Sequence, residues 1–138
     1  MQFVFLISSV GFTVCVGLND DSDVSAGDAI PFTNGRSAYG VDISEVKTSG
    51  KFTCSIPGLY HISASIRSKT DHGYYGIHQN AYAVTYGYTA EHDGVDTYLH
   101  SGSIDCIREL KDGDVITVKS WKKMQIDAWS CLTIVKLK

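Results

Sequence analysis

The sequence predicts a single-domain all-β sandwich, and three observations carry that expectation. Short runs rich in β-branched and aromatic residues alternate with clusters of Gly, Asp, Asn and Ser along the chain. No window repeats apolar residues at i, i+3, i+4 and i+7 over several turns, so helical periodicity is scarce. The chain has 138 residues, 43% hydrophobic and 20% charged, which suits one globular domain over residues 1–138.

The elements follow in order. Phe3 to Leu18 reads FVFLISSVGFTVCVGL, and Phe3–Val16 is read as a buried first strand. A residual secretory signal is the alternative, although the run lacks a basic leader and a small-residue cleavage site. Whether Met1 is native stays open. Further strands are expected at Ala29–Phe32, Lys51–Cys54, Gly58–Arg67, Tyr74–His78 and Tyr82–Tyr88. Asp96–Leu110, Asp114–Trp121 and Ala128–Leu137 complete the set, with a break allowed at Ser101-Gly102-Ser103. That makes eight to ten strands, the pattern of a sandwich or barrel. Alternation is cleanest at Leu59–Arg67, where Tyr60, Ile62, Ala64 and Ile66 face one way and His61, Ser63, Ser65 and Arg67 the other. Pro57-Gly58 separates two strands, and Lys111-Asp112-Gly113-Asp114 predicts a tight hairpin.

Several function classes lose support at this level. A net charge of −3 argues against a nucleic-acid partner, which needs a basic face. No apolar run is long enough to span a membrane. The four cysteines, Cys15, Cys54, Cys106 and Cys131, form no CxxC, so zinc-ribbon and thioredoxin-like chemistry is unsupported. They permit two disulfides in any of three connectivities, or buried thiols. GxSxG, HExxH and phosphate-binding glycine loops are missing, and the five histidines are scattered. The chain reads as a binding protein, not an enzyme.

Gly50–Ser63 reads GKFTCSIPGLYHIS and closely resembles the signature GKFTCxxPGLYxFS of the complement C1q globular head domain. Val10-Gly11-Phe12-Thr13-Val14 resembles the family's first strand, and Ala29-Ile30-Pro31-Phe32 the short strand after its first long loop. Gly113-Asp114-Val115 matches the late GD-V turn, and Trp129-Ser130-Cys131-Leu132 occupies the place of the closing FSGF. Three departures stand out: a long Asn34–Ser49 segment, Ile62 and Ala64 in place of aromatics, and Arg108 in place of an aliphatic residue. No collagen-like Gly-X-Y segment is present, so the chain is similar to head-only, invertebrate-type members.

The resemblance implies a ten-stranded jelly roll of the C1q and tumour-necrosis-factor type, extracellular, homotrimeric and non-enzymatic. Its ligands would be glycans, microbial surfaces or receptors, and calcium sits near the apex in several members. In that topology the loops Gly17–Asp28, Ser68–Gly73, Thr89–Asp96 and Trp121–Asp127 share the apex. They carry Asp20, Asp21, Asp23, Asp71, Asp93 and Asp96, together with Glu91, an acidic set of the kind calcium takes. Solvated turn aspartates are the other reading of the same residues. Lys69, His72, Tyr74, Tyr75, His92, Trp121, Lys122 and Lys123 are the candidates for ligand contact. Tyrosine suits recognition surfaces, although it also favours strands.

Assembly would fall to the sheet whose outer face presents His61, Ser63 and Ser65, with the apolar Phe3–Ile7 stretch as a further interface candidate. Cys15 and Cys131 would lie on neighbouring strands, with the pairing left open. The first functional expectation is a secreted, homotrimeric, lectin-like module of innate immunity. The alternatives are a calcium-associated extracellular matrix protein and a receptor ligand of the tumour-necrosis-factor kind.

Overall fold

The computed structural model describes residues 10–17, 20–70, 72–89 and 100–138. Its strands are β1 (Gly11–Cys15), β2 (Ser22–Val24), β3 (Asn34–Tyr39), β4 (Lys51–Thr53), β5 (Gly58–Ser68) and β6 (Tyr74–Gln79). β7 (Tyr82–Tyr88), β8 (His100–Leu110), β9 (Val115–Ser120), β10 (Met124–Ile126) and β11 (Cys131–Lys136) follow, and one short helix, α1 (Ser44–Ser49), precedes β4. All pairings are antiparallel. Sheet A runs β3-β1-β11-β5-β8, with β10 and β2 attached at one end of β5. Sheet B runs β4-β9-β6-β7.

The alternation expected in β5 is what builds the core. Tyr60, Ile62, Ala64 and Ile66 are buried on its inner face, beside Phe12 and Val14 of β1 and Leu132 and Ile134 of β11. Phe52, Tyr75, Ile77, Ile116 and Val118 of sheet B close on them. The layers meet ring to ring: Phe12 lies 5.2 Å from Phe52, and Phe52 lies 6.1 Å from Tyr60.

The jelly-roll expectation holds, with corrections in the details. Ala29–Phe32 is no strand but a single bridge from Ala29 to Lys119, because Pro31 has no N–H for a ladder. The Asn34–Ser49 segment instead supplies β3, an exposed edge strand on β1, and then α1. Asp42 accepts from the Ser44 N–H (2.9 Å) at the start of α1. Gly50 ends the helix at φ 74°, and a Cβ there would sit 2.6 Å from the Ile30 carbonyl oxygen. Both facts explain the leading glycine of the GKFTC block. β8 runs unbroken through Ser101-Gly102-Ser103, since Gly102 lets the Tyr88 carbonyl of β7 pass closer than any Cβ would allow. The Phe3–Ile7 stretch lies outside the described residues.

The Lys111–Asp114 turn is tight, with Gly113 at φ 90°, but it is not a hairpin. It carries the chain from β8 in sheet A to β9 in sheet B. Asp114 fastens it: its carboxylate accepts from the Lys111 N–H (2.8 Å), Asn80 Nδ2 (3.1 Å) and Gln79 Nε2 (3.2 Å). The Lys111 N–H, with Asn80 and Gln79, holds this carboxyl below the usual aspartate range. A depressed folded value means that the contribution is complete above the unfolded pKa of about 3.9 and fades as pH falls through the folded value. Asp114→Asn is therefore expected to destabilise the fold at neutral pH, and its gap from the parent chain should narrow in acid. Urea midpoints measured from pH 7 to pH 2.5 check this; a gap independent of pH would contradict it.

Cys15 and Cys131 stand directly opposite each other in the β1–β11 register and form a disulfide, with Cα atoms 4.0 Å apart. Cys54 and Cys106 are free. Burial raises the Cys106 thiol above its ordinary pKa, with Asp105 adding to the rise and Arg108 opposing it.

Candidate ligand-binding surfaces

The four loops expected at the apex are linked within the described residues, the Thr89–Asp96 loop through Thr89 alone. β2 pairs with β10, the Gln125 N–H donates to Thr70 Oγ1 (2.9 Å), and the Thr89 N–H donates to the Gly73 carbonyl (2.9 Å). Lys69 Nζ lies 3.4 Å from Asp21 Oδ2, so a candidate ligand contact and a candidate calcium ligand engage each other. Asp23 sits opposite Gln125 in the ladder, while Asp20 and Asp21 line an open cleft with Ser22, Pro31 and Thr33. Among the described residues no three His, Cys, Asp or Glu side chains converge on a metal site. Asp71, Glu91, His92, Asp93 and Asp96 lie outside the described residues.

The remaining candidates divide by strand parity. Tyr75 points into the core, fully buried, where desolvation pushes its phenol up to about 12. It corrects the expectation of a surface contact: Tyr74 and Tyr75 are adjacent on β6, and a strand sends neighbours to opposite faces. Lys122 and Lys123 lie exposed in the turn before β10, where the Ser120 hydroxyl donates to the Lys122 carbonyl. His72 occupies an exposed turn position at φ 54°.

Tyr74 and Trp121 join an aromatic cluster on the outer face of sheet B. Tyr74 stacks on Tyr88 (centroids 4.6 Å, planes 6° apart), and Trp121 meets Tyr74 edge-on at 4.6 Å. Tyr86 leans on Trp121 at 5.9 Å and meets Tyr74 edge-on. The register explains the grouping, since Tyr74 pairs with Tyr88 and Gly76 with both Tyr86 and Lys119. Gly76 makes the floor: a Cβ there would lie 2.5 Å from Trp121 Cζ2. Trp121 Nε1 donates to His78 Nε2 (2.9 Å). His78, Tyr86 and Tyr88 were not among the residues expected from the sequence, although the Tyr86-Gly87-Tyr88 alternation carries a trace of the shared face.

Desolvation lowers the His78 pKa, and Lys119 lowers it further, so the imidazole stays neutral and can accept the indole proton. A neutral state favoured by folding contributes stability above the unfolded pKa, and that contribution is lost as pH falls below it. Trp121 fluorescence in a Trp129→Phe chain is therefore expected to titrate below the ordinary imidazole value of about 6.5. A midpoint at or above that value would contradict a desolvated His78.

The outer face of sheet A is different in kind. Its rows, read across β3-β1-β11-β5-β8, are Tyr39–Gly11–Val135–His61–Ile107, Ser37–Thr13–Thr133–Ser63–Asp105 and Asn34–Cys15–Cys131–Ser65–Ser103. The centre is small and hydroxylic, with a Thr13–Thr133 hydrogen bond of 2.9 Å. His61 Nε2 lies 2.9 Å from Asp105 Oδ2. Tyr39, Ile107, Val135 and Leu137 remain exposed toward one end.

Comparison with known proteins agrees with this architecture. The family model described as "C1q domain" matches residues 15–130. The mouse collagen alpha-1(X) chain is 35% identical over 68 residues, covering 49% of this chain and 10% of that protein. The present chain thus spans about a tenth of that relative's length. Among solved structures, the globular domain of zebrafish complement 1qA superposes with a TM-score of 0.69 at 14% identity, covering 94% of this chain and 96% of that one. Murine APRIL gives a TM-score of 0.68 at 12% identity, covering 94% and 99%. These structural likenesses, at such low identity, speak to the fold, and the family match extends over most of the sequence. The chain belongs to the C1q domain family.

Proposed function

We propose that the chain is a secreted, homotrimeric recognition module that binds glycans or microbial-surface ligands in innate immunity. The observation that carries the reading is the outer face of sheet A. A field of small Ser and Thr side chains bordered at one end by exposed Tyr39, Ile107 and Val135 suits close packing against further copies. It leaves the apex loops and the outer face of sheet B for ligands. The Cys15–Cys131 disulfide supports an oxidising, extracellular setting, and no helix among the described residues is long and apolar enough to cross a membrane. The absence of any catalytic motif in the sequence supports binding over catalysis.

Ser63→Arg places a long charged side chain at the centre of the assembly field without touching the core. It is expected to convert the assembly to monomer while preserving the circular dichroism spectrum, as read by sedimentation. Unchanged mass would contradict the assignment of this face. Ligand recognition is tested by a glycan array run with calcium and with chelator. Selective binding supports the lectin-like reading, and loss with chelator would place calcium among Asp20, Asp21, Asp23, Asp71, Asp93 and Asp96. A clean array overturns glycan recognition and moves the reading to a protein receptor or a matrix role.

A further inference from the structure

We propose that the aromatic cluster on the outer face of sheet B is a glycan-stacking platform, with a pyranose ring seated against Trp121 and Tyr86 and bordered by Tyr88. This rests on the recognition reading above and names the surface and the ligand chemistry for it. The cluster is built before any ligand arrives. Gly76 lets the indole lie on the strand, and the Trp121–His78 hydrogen bond fixes its orientation. Since the indole N–H is its one donor and is already used, the ring offers a carbon surface. Tyr86 and Tyr88 are each 58% exposed, an unusual outlay of large rings at adjacent same-face positions. A pyranose matches such a surface chemically. Its C–H face contacts the rings, while its hydroxyls reach phenol oxygens at the rim.

Charge narrows the class. Lys119 shares the Gly76 row and acts on His78, so positive charge already stands beside the rings. A quaternary ammonium, the other common guest of aromatic clusters, would be repelled there. Neutral pyranosides and pyranosides with an acidic substituent both fit. The platform also faces away from sheet A, so assembly through sheet A leaves it open.

The test uses the full chain with methyl β-galactoside, methyl β-glucoside, N-acetylglucosamine and N-acetylneuraminic acid as probes, and phosphocholine as the cationic comparison. Saturation-transfer NMR is expected to mark ring C–H protons of at least one sugar. Tyr86→Ala/Tyr88→Ala should weaken that sugar by about tenfold or more while leaving the fold and the assembly intact. Trp121→Ala should do the same, with circular dichroism guarding against misfolding. Sugar binding unchanged in the tyrosine double variant would overturn the platform and leave glycan recognition standing elsewhere, at the apex. Phosphocholine bound in preference to every sugar would overturn the ligand class. No sugar bound by the parent chain would overturn both the platform and the glycan reading.

Discussion

Replacing Cys15 and Cys131 together by serine is expected to cost the folded chain on the order of 4–5 kcal/mol, the chain-entropy value for a loop of this length. The two residues are 116 positions apart, and their bond joins β1 to β11 near the middle of sheet A. An unfolded chain with that link has lost most of the separation available to its ends. The two strands hold the pair directly opposite each other in register, beside the Thr13–Thr133 hydrogen bond. The check compares urea midpoints of the oxidised chain, the reduced chain and the double-serine variant. The last two should agree and fall well below the first. Three coincident midpoints would show that the bond stabilises nothing.

The second large effect belongs to Phe52. Truncation to alanine is expected to cost about 3–5 kcal/mol, the range for a buried phenylalanine. Phe52 is 3% exposed on the short strand β4, and its ring touches Phe12 of β1 and stands near Tyr60 of β5. Its removal would leave a cavity between the two sheets. Phe52→Leu should cost clearly less, because most of the volume remains. Tyr82→Ala, at a residue 78% exposed, should change stability by no more than about 0.5 kcal/mol. A similar loss for Phe52 and Tyr82 would contradict the described core.

How much of this was legible in the sequence depends on how local the signal is. The inner face of β5 was readable because Tyr60, Ile62, Ala64 and Ile66 are buried on one face of a period-two strand. β3 was missed because an exposed edge strand has no reason to alternate, and its pairing to β1 comes from the fold. α1 was missed because six residues are too few for a helical period to show. The Lys111–Asp114 turn was recognised from its Asp-Gly pair, yet which sheets it joins is a matter of topology.

The ligand surface divides along the same line. Tyr74 and Trp121 were named from their places near the apex loops. Their partners Tyr86 and Tyr88 come beside them through the β6–β7 register, and His78 through its place on β6 under Trp121. Tyr75 was misplaced by one residue of strand parity. The Cys15–Cys131 pairing needed the strand neighbours, which the resemblance implied, and the shared face, which only the register supplies.

The trimer proposed for this C1q-family chain is tested most directly by its solution mass. Multi-angle light scattering of the full, oxidised chain of 15.1 kDa should give three times the chain mass, independent of dilution through the micromolar range. A mass of one chain at every concentration would contradict the account, because the face of sheet A would then have no partner to meet.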